Sequence, residues 1–131
     1  MYRFDVLKEA QKTTFLSIPS QTTVYMRSFE FLTWVENPSF CFEYQAFSDG
    51  NVALRIELEQ SNVLPVVEGE ADEKWCIPDD ALEFNDNLID ENYHIKAYPP
   101  APTKYGRFKI TGLDLNDAST GISQLLLTVH K

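Results

Sequence analysis

The chain has 131 residues, 44% of them hydrophobic and 13% aromatic, which suits one folded domain with its own core and is too apolar for a disordered segment. Its formal net charge of −9, without any cluster of Lys and Arg, argues against nucleic acid as a partner. No apolar run approaches the ~18 residues that a membrane-spanning helix needs, and residues 1–5 lack the features of a signal peptide, so we expect no membrane partner and folding in a cytoplasm.

The N-terminal part of the chain contains several short stretches in which apolar and polar side chains alternate, as they do in β-strands. Alternation over residues 2–8 predicts a strand or an extended arm, and the segment 1–20 as a whole could form such an arm. A clearer strand is predicted over 22–27. The apolar stretch 28–35 predicts a further strand or a bulged corner.

Residues 39–61 have the strongest strand pattern and predict a β-hairpin. Apolar residues recur at every second position of both arms, as Phe40, Phe42, Tyr44 and Ala46, then Val52, Leu54, Ile56 and Leu58. A two-residue turn would put the two apolar stripes on opposite faces of the sheet, whereas a three-residue loop with Gly50 in a left-handed bulge brings them together. We therefore predict that Phe42 lies opposite Ile56.

The segment 61–92 differs in character, because acids and prolines separate its apolar residues. It holds ten of the chain's 20 acidic residues and little regular pattern, which predicts a long irregular connection between strands. Large apolar side chains without a strand to bury them favour contact with another chain. The predicted interface residues are Val63, Leu64, Val66, Val67, Trp75, Leu88 and Ile89.

Alternation resumes in the C-terminal part of the chain, over 93–98, 104–111 and 122–130. Prolines and polar loops separate these stretches. Many short strands with almost no helix predict an all-β fold, which we interpret as an antiparallel β-sandwich or jelly roll with one long irregular connection. We expect a single domain over residues 1–131.

The sequence offers little for catalysis. His94 and His130 are the only histidines, both lie in predicted strands, and neither accompanies a patterned nucleophile or acid. Cys41 and Cys76 are expected to be reduced and to act as small apolar residues. The many acids between 68 and 91 are more typical of a solvated surface than of a glycosidase pair. We therefore expect a protein that is not an enzyme and needs no cofactor.

Two acidic stretches could hold Ca²⁺, which binds carboxylate and carbonyl oxygens. They are 114–117, with two Asp and one Asn, and 79–86, with three Asp. Neither follows the spacing of an EF-hand, and Asp and Asn also begin turns by bonding to their own backbone. Both interpretations, a metal site and plain turns, remain open.

Exposed tryptophans would indicate sugar binding. Trp34 and Trp75 could form a flat platform for sugar rings, but aromatic side chains of a sandwich go first to the core and to interfaces. Solvent-facing rings would favour a carbohydrate-binding module, and buried rings would favour an assembly role.

The C-terminal third resembles the closing strands of small tailed-phage virion proteins. The stretch 105–112, Tyr-Gly-Arg-Phe-Lys-Ile-Thr-Gly, is followed by a polar loop through Asn116, Asp117 and Thr120 and then by an apolar last strand. Residues 33–38, Thr-Trp-Val-Glu-Asn-Pro, have the same character. The resemblance implies a jelly-roll or sandwich protein of the capsid-decoration or minor-head type, with homo-oligomeric contacts, no cofactor and no catalytic residues.

These observations predict a non-enzymatic structural virion protein, which would be a capsid-decoration, minor-head or tail component. We expect it to assemble in the host cytoplasm, through contacts with its own copies and with a larger protein assembly such as a capsid or tail. The alternative is a carbohydrate-binding module that uses an exposed tryptophan.

Overall fold

The computed structural model describes residues 2–31, 39–48, 54–78, 85–88, 92–97, 103–113 and 120–130. Within these ranges one turn of π-helix, Val6–Ala10, is the only helical element, and all other regular structure is β. The strands are β1 (Tyr2–Asp5), β2 (Leu16–Ser17), β3 (Thr23–Tyr25), β4 (Phe29–Glu30), β5 (Ser39–Ser48), β6 (Leu54–Ser61), β7 (Asn85–Leu88), β8 (His94–Ala97), β9 (Tyr105–Gly112) and β10 (Thr120–His130).

The strands form two antiparallel sheets that pack face to face. In sheet A the order is β1-β10-β5-β8, and β2 also pairs with β10. In sheet B the order is β3-β9-β6-β7, and β4 also pairs with β9. The prediction of an all-β antiparallel sandwich is confirmed.

The core lies between the two sheets and consists mainly of inward-facing strand residues, joined by Val6, Leu7, Ile18, Met26 and Phe31 from the segments between strands. The buried hydrophobic side chains of β5, β6 and β9 are Phe42, Tyr44, Ala46, Leu54, Ile56, Leu58, Phe108 and Ile110. Phe42 of sheet A meets Phe108 of sheet B edge-on, with ring centroids 5.2 Å apart. Each such side chain stabilises the fold by roughly 1.5–3 kcal/mol through burial, so the alternation seen in the sequence supplies the main stabilising contacts between the sheets.

The predicted hairpin over 39–61 is wrong, although both of its arms are strands. β5 pairs with β10 and β8 in sheet A, whereas β6 pairs with β7 and β9 in sheet B. Ile56 consequently lies opposite Ile110 and not opposite Phe42. Two apolar stripes can be buried by facing each other across a sandwich as well as by pairing in one sheet, and here the chain crosses between the sheets. Gly50, for which a left-handed conformation is predicted, lies outside the described residues.

The N-terminal segment belongs to the sandwich and is not an extended arm. The chain begins with β1, which pairs with β10, and then makes the π-helical turn. The Asp5 carboxylate accepts a hydrogen bond from the backbone N–H of Lys8 at 3.0 Å, and Glu9 accepts one from the backbone N–H of Asp5 at 2.7 Å. This reciprocal capping lets Val6 and Leu7 enter the core, where both are buried.

A β-bulge in β10 keeps apolar residues on its inner face. The pairing with β5 shifts between Ile122 and Gln124, so that Ser123 is the extra residue. Ser123 donates a hydrogen bond from its hydroxyl to the carbonyl of Gln45 at 3.1 Å. Ile122 and Leu125 are three positions apart and would point to opposite faces of a regular strand, yet both are buried because the bulge shifts the alternation by one.

The long connection predicted over 61–92 is irregular only in part. Residues 62–78 contain no helix or strand beyond a single bridge between Cys76 and Gln60. Strand β7 then interrupts the predicted connection and pairs with β6. The residues that flank β7 directly lie outside the described ranges.

Candidate functional site

The outer face of sheet B carries opposite charges on neighbouring strands. In the pairing of β6 with β9, Glu59 lies opposite Arg107 and Glu57 lies opposite Lys109. Because successive residues of a strand point to opposite faces and Phe108 is buried in the core, Arg107 and Lys109 point away from the core. Directly opposed carboxylates and cations favour this strand register.

Arg107 is fully buried, with 0% of its surface exposed, although it lies on that outer face. We call residues 62–78 the covering loop, because they supply the contacts that shield it. The guanidinium carbon of Arg107 lies 4.7 Å from the ring centroid of Tyr25 on β3 and 4.9 Å from that of Trp75 in the covering loop. Both distances are within cation–π range, and such contacts strengthen when water is excluded.

Hydrogen bonds from Arg107 connect the covering loop to the sheet. Its Nε donates to Oε1 of Glu59 at 3.0 Å, and its Nη1 donates to the backbone carbonyl of Glu70 at 2.8 Å. Two buried donors, Nη2 of Arg107 and Nε1 of Trp75, have no hydrogen-bond partner among the described residues. A buried charge is tolerated only while its partners remain in place, so Arg107 couples the position of the loop to that of β6 and β9.

Asp72 organises the covering loop from within. Its Oδ1 accepts a hydrogen bond from the backbone N–H of Lys74 at 2.9 Å, and its Oδ2 accepts one from that of Val66 at 3.0 Å. These two bonds lower the pKa of the Asp72 carboxyl, and the charges of Arg107 and Lys74 lower it further. The backbone N–H of Trp75 donates to the Asp72 carbonyl at 3.1 Å, so one residue fixes both the backbone at Val66 and the turn that places the indole ring.

Two further contacts hold the covering loop against the sandwich. Glu68 accepts a hydrogen bond from the backbone N–H of Ser28 at 3.1 Å and another from the Ser28 hydroxyl. Cys76 and Gln60 exchange backbone hydrogen bonds of 2.8 and 3.3 Å. Together with the bond from Arg107, these contacts give an irregular segment a defined position.

The covering loop exposes four aliphatic side chains, which we call the loop patch: Val63, Leu64, Val66 and Val67. Val66 is 92% exposed even though its backbone is held by Asp72. Around the patch lies an open groove of about 480 Å³, which is also lined by Glu70, Ala71, Asp72, Glu73 and Lys74. The groove therefore combines an aliphatic surface with a mainly acidic rim.

The other predicted site residues lie elsewhere or outside the described ranges. Trp75, predicted both as an interface residue and as part of a sugar platform, is only 3% exposed, because its ring packs against Arg107. It offers no free ring face. Leu88 belongs to β7 and pairs with Leu54 in sheet B, separate from the loop patch. Trp34 and Ile89 are outside the described residues.

The remaining candidate chemistry forms no site in the described part of the chain. Stretch 114–117 and most of 79–86 lie outside it. Within it, no three or more His, Cys, Asp or Glu side chains come together in a way that could hold a metal ion. The His94 ring stacks on the ring of Tyr44, with centroids 5.5 Å apart.

The central residue of this site, Arg107, was missed by the sequence reasoning. Strand alternation places it on the polar face beside Lys109 but contains no information on what covers that face. A signal is present in retrospect. Trp75 is the one aromatic residue between 62 and 78, a segment that carries four acids and one lysine. Such a ring can be buried against a cation.

No helix within the described ranges is both long enough and apolar enough to cross a membrane. Comparisons of the chain with models of protein families, with curated proteins and with solved structures found no match.

Proposed function

We propose that this protein is a non-enzymatic structural subunit of a virion, such as a capsid-decoration, minor-head or tail component, and that it docks onto a larger protein assembly through the loop patch. The observation that carries the proposal is the combination of four exposed aliphatic side chains with a loop held in place by Arg107, Asp72 and Glu68. The virion setting comes from the resemblance of the C-terminal strands to phage structural proteins.

A fixed apolar patch suits docking because the loop is already ordered before the partner binds. Side chains of this kind contribute roughly 1.5–3 kcal/mol each when fully buried, and a preformed surface loses little further entropy on binding. The patch would form the centre of an interface of about 1,000 Å² or more. Exposed aliphatic side chains on an irregular loop otherwise add nothing to the stability of the free subunit.

The acidic rim indicates the chemistry of the partner. Glu70, Asp72 and Glu73 give the groove three carboxylates against the single cation Lys74 among its lining residues. A surface with an apolar depression and basic residues around it would be complementary in both shape and charge, and charge complementarity raises the association rate. We therefore propose a basic docking surface on the particle.

A carbohydrate-binding function receives no support from Trp75, since the ring that would stack on a sugar packs against Arg107. Trp34, the other predicted platform residue, lies outside the described residues, and the docking proposal does not depend on it.

The test is incorporation into particles. The wild-type chain, a Val66→Ser/Val67→Ser variant and a Thr14→Ala/Ser17→Ala control would each be produced in the native host, and particles would be purified by density gradient and analysed by quantitative mass spectrometry. Thr14 and Ser17 are exposed residues outside the covering loop, so the control changes surface composition without touching the patch.

We expect wild type and control to be present in particles at equal levels and the Val66→Ser/Val67→Ser variant to be lost, with equal melting temperatures for all three. Equal incorporation of the patch variant would refute docking through this loop. If no particle fraction contained the wild-type chain, the structural role itself would be refuted.

A further inference from the structure

The large hydrophobic side chains that the described ranges leave exposed fall into two separate groups. One group is the loop patch over sheet B. The other lies on sheet A, and we call it the sheet A cluster: Phe15, Phe47, Tyr93 and Ile95. Exposed apolar side chains that occur singly need no explanation, but groups on one face mark interaction surfaces.

Phe15 and Phe47 form one end of this cluster. Phe47 pairs with Gly121 across β5 and β10, so the two residues share a face, and it is the outer face because neighbouring Ala46 is buried. A Cβ atom at Gly121 would lie 2.5 Å from the Phe15 ring. Glycine thus lets Phe15 lie directly on the sheet, where its ring meets that of Phe47 edge-on at a centroid distance of 5.9 Å.

Tyr93 and Ile95 form the other end, at the β8 edge of the sheet. Ile95, which is 66% exposed, lies opposite Glu43 on β5. Glu43 and Phe47 are four positions apart on one strand and so point to the same face, with their Cα atoms roughly 13 Å apart. Tyr93 comes directly before β8 and two residues before Ile95. If the alternation of the strand extends to Tyr93, both side chains lie on the same face of the sheet. The cluster therefore runs along the outer surface of β5 and β8.

Charge distinguishes the sheet A cluster from the loop patch. Between Cys41 and Phe47, Glu43 is the one charged residue of β5, and its outward neighbours Cys41 and Gln45 are neutral. The charged residues of the N-terminal turn, Asp5, Lys8 and Glu9, adjoin the β1 edge, with β10 between them and β5. In a chain with a net charge of −9, two copies repel each other wherever their carboxylates meet. Glu43 is the one carboxylate of β5 beside the sheet A cluster, whereas Glu70, Asp72 and Glu73 line the groove at the loop patch, so two copies meeting through the cluster bring fewer carboxylates together.

We propose that the sheet A cluster is a self-association surface on which two copies of this chain pack face to face about a two-fold axis. Such an isologous contact brings the same residues together from both copies. Its centre would consist of Phe47, Tyr93 and Ile95, and aromatic residues of this kind are enriched among those that dominate interface energies. The loop patch with its acidic rim fits a basic partner, whereas the sheet A cluster, beside which Glu43 is the one carboxylate of β5, fits a second acidic copy better. The inference does not rest on the proposed docking, because the two surfaces lie on different sheets.

The oligomeric state of the purified full chain tests this inference. Sedimentation velocity over a concentration series would compare the wild type with Phe47→Ser/Ile95→Ser, and Val66→Ser/Val67→Ser would serve as the matched control. Both double variants replace two exposed apolar residues with serine. Circular dichroism and thermal melting would show that each variant is folded.

We expect a concentration-dependent monomer–dimer equilibrium for the wild type and for the control, and an increase in the dimer Kd of about tenfold or more for Phe47→Ser/Ile95→Ser. Should that variant unfold, Ile95→Glu offers a single change at an exposed position, and it would add a carboxylate from each copy beside Glu43. A wild type that is monomeric at every concentration would overturn the inference. So would a dimer whose Kd is unchanged in both Phe47→Ser/Ile95→Ser and Ile95→Glu. Failure of the docking test in particles would leave this result unaffected.

Discussion

At the scale of single residues, Arg107 holds the covering loop and sheet B together. It is buried beside Glu59, and truncation of one partner leaves the other charge without compensation in a place that water does not reach. We predict that Arg107→Met lowers the free energy of unfolding by about 3–5 kcal/mol. Urea titration followed by tryptophan fluorescence would measure the loss.

Lys109→Met is the matched control for this prediction, because Lys109 lies opposite Glu57 in the same pair of strands but is only half-buried. Its loss should cost about 0–1 kcal/mol. The double variant Glu59→Leu/Arg107→Met should recover part of the stability, since it removes both charges. Equal destabilisation by Arg107→Met and Lys109→Met would mean that burial of the pair has no energetic consequence.

The position of Arg107 shows where sequence reasoning succeeds and where it fails for a single side chain. Alternation over β9 correctly separates Phe108 and Ile110, which face the core, from Arg107 and Lys109, which face away from it. Burial of Arg107 depends on the covering loop, whose Glu70 carbonyl accepts its hydrogen bond from 37 residues earlier in the chain. No local pattern encodes such a contact.

At the scale of elements, the titration of Asp72 reports on the covering loop. Backbone N–H groups of Lys74 and Val66 stabilise the carboxylate, so the pKa of Asp72 in the folded protein lies below its value in the unfolded chain. The corresponding stabilisation is present in full above the unfolded pKa of about 3.9 and is lost as the pH falls through the lowered folded pKa.

We predict that the amide resonances of Val66 and Lys74 shift together in NMR spectra as acid is added, with a common midpoint below pH 3.9 or so. Asp72→Asn should abolish this shift while the resonances of β9 remain in place. A midpoint at or above the value of an unstructured aspartate would show that the two hydrogen bonds do not form in solution.

The strands themselves are predicted far better than their partners. The arms of the expected hairpin coincide with β5 and β6, yet the two strands lie in different sheets. Period-two alternation states which face of a strand is apolar but not which strand lies beside it. Phe42 does meet an apolar residue, as expected, but that residue is Phe108 across the core. The bulge at Ser123 is likewise invisible in the sequence, because a single extra residue resembles a lapse in the pattern.

At the scale of the whole molecule, net charge should act in opposite directions on the two proposed contacts. Copies that each carry −9 repel, and dissolved salt screens that repulsion. We predict that raising NaCl from about 0.05 to 0.5 M lowers the dimer Kd measured by sedimentation and slows docking onto a basic surface. A dimer that dissociates with added salt would place ion pairs, and not apolar side chains, at its centre.

The fold class followed from the sequence because many short alternating stretches leave few alternatives to a sandwich. The candidate site followed only in part. Val63, Leu64, Val66 and Val67, which were predicted as interface residues, are exposed and line one groove, and their contact with another chain stays a prediction. Trp75 was expected in the same surface but is buried. Its ring packs against Arg107 of β9, and nothing in the sequence around Trp75 indicates a contact with that strand.

The position of β10 has a consequence for how the protein is made. This strand lies between β1 and β5 in sheet A and also pairs with β2, yet it follows all three of them along the chain. During synthesis those earlier strands leave the ribosome without the partner that joins them, so sheet A closes only once β10 has emerged. Pairings as distant in sequence as Tyr2 with Val129 are slow to form, and strands that wait unpaired are exposed to aggregation. The nascent chain therefore passes through a period in which sheet A lacks β10, the strand that joins β1, β2 and β5.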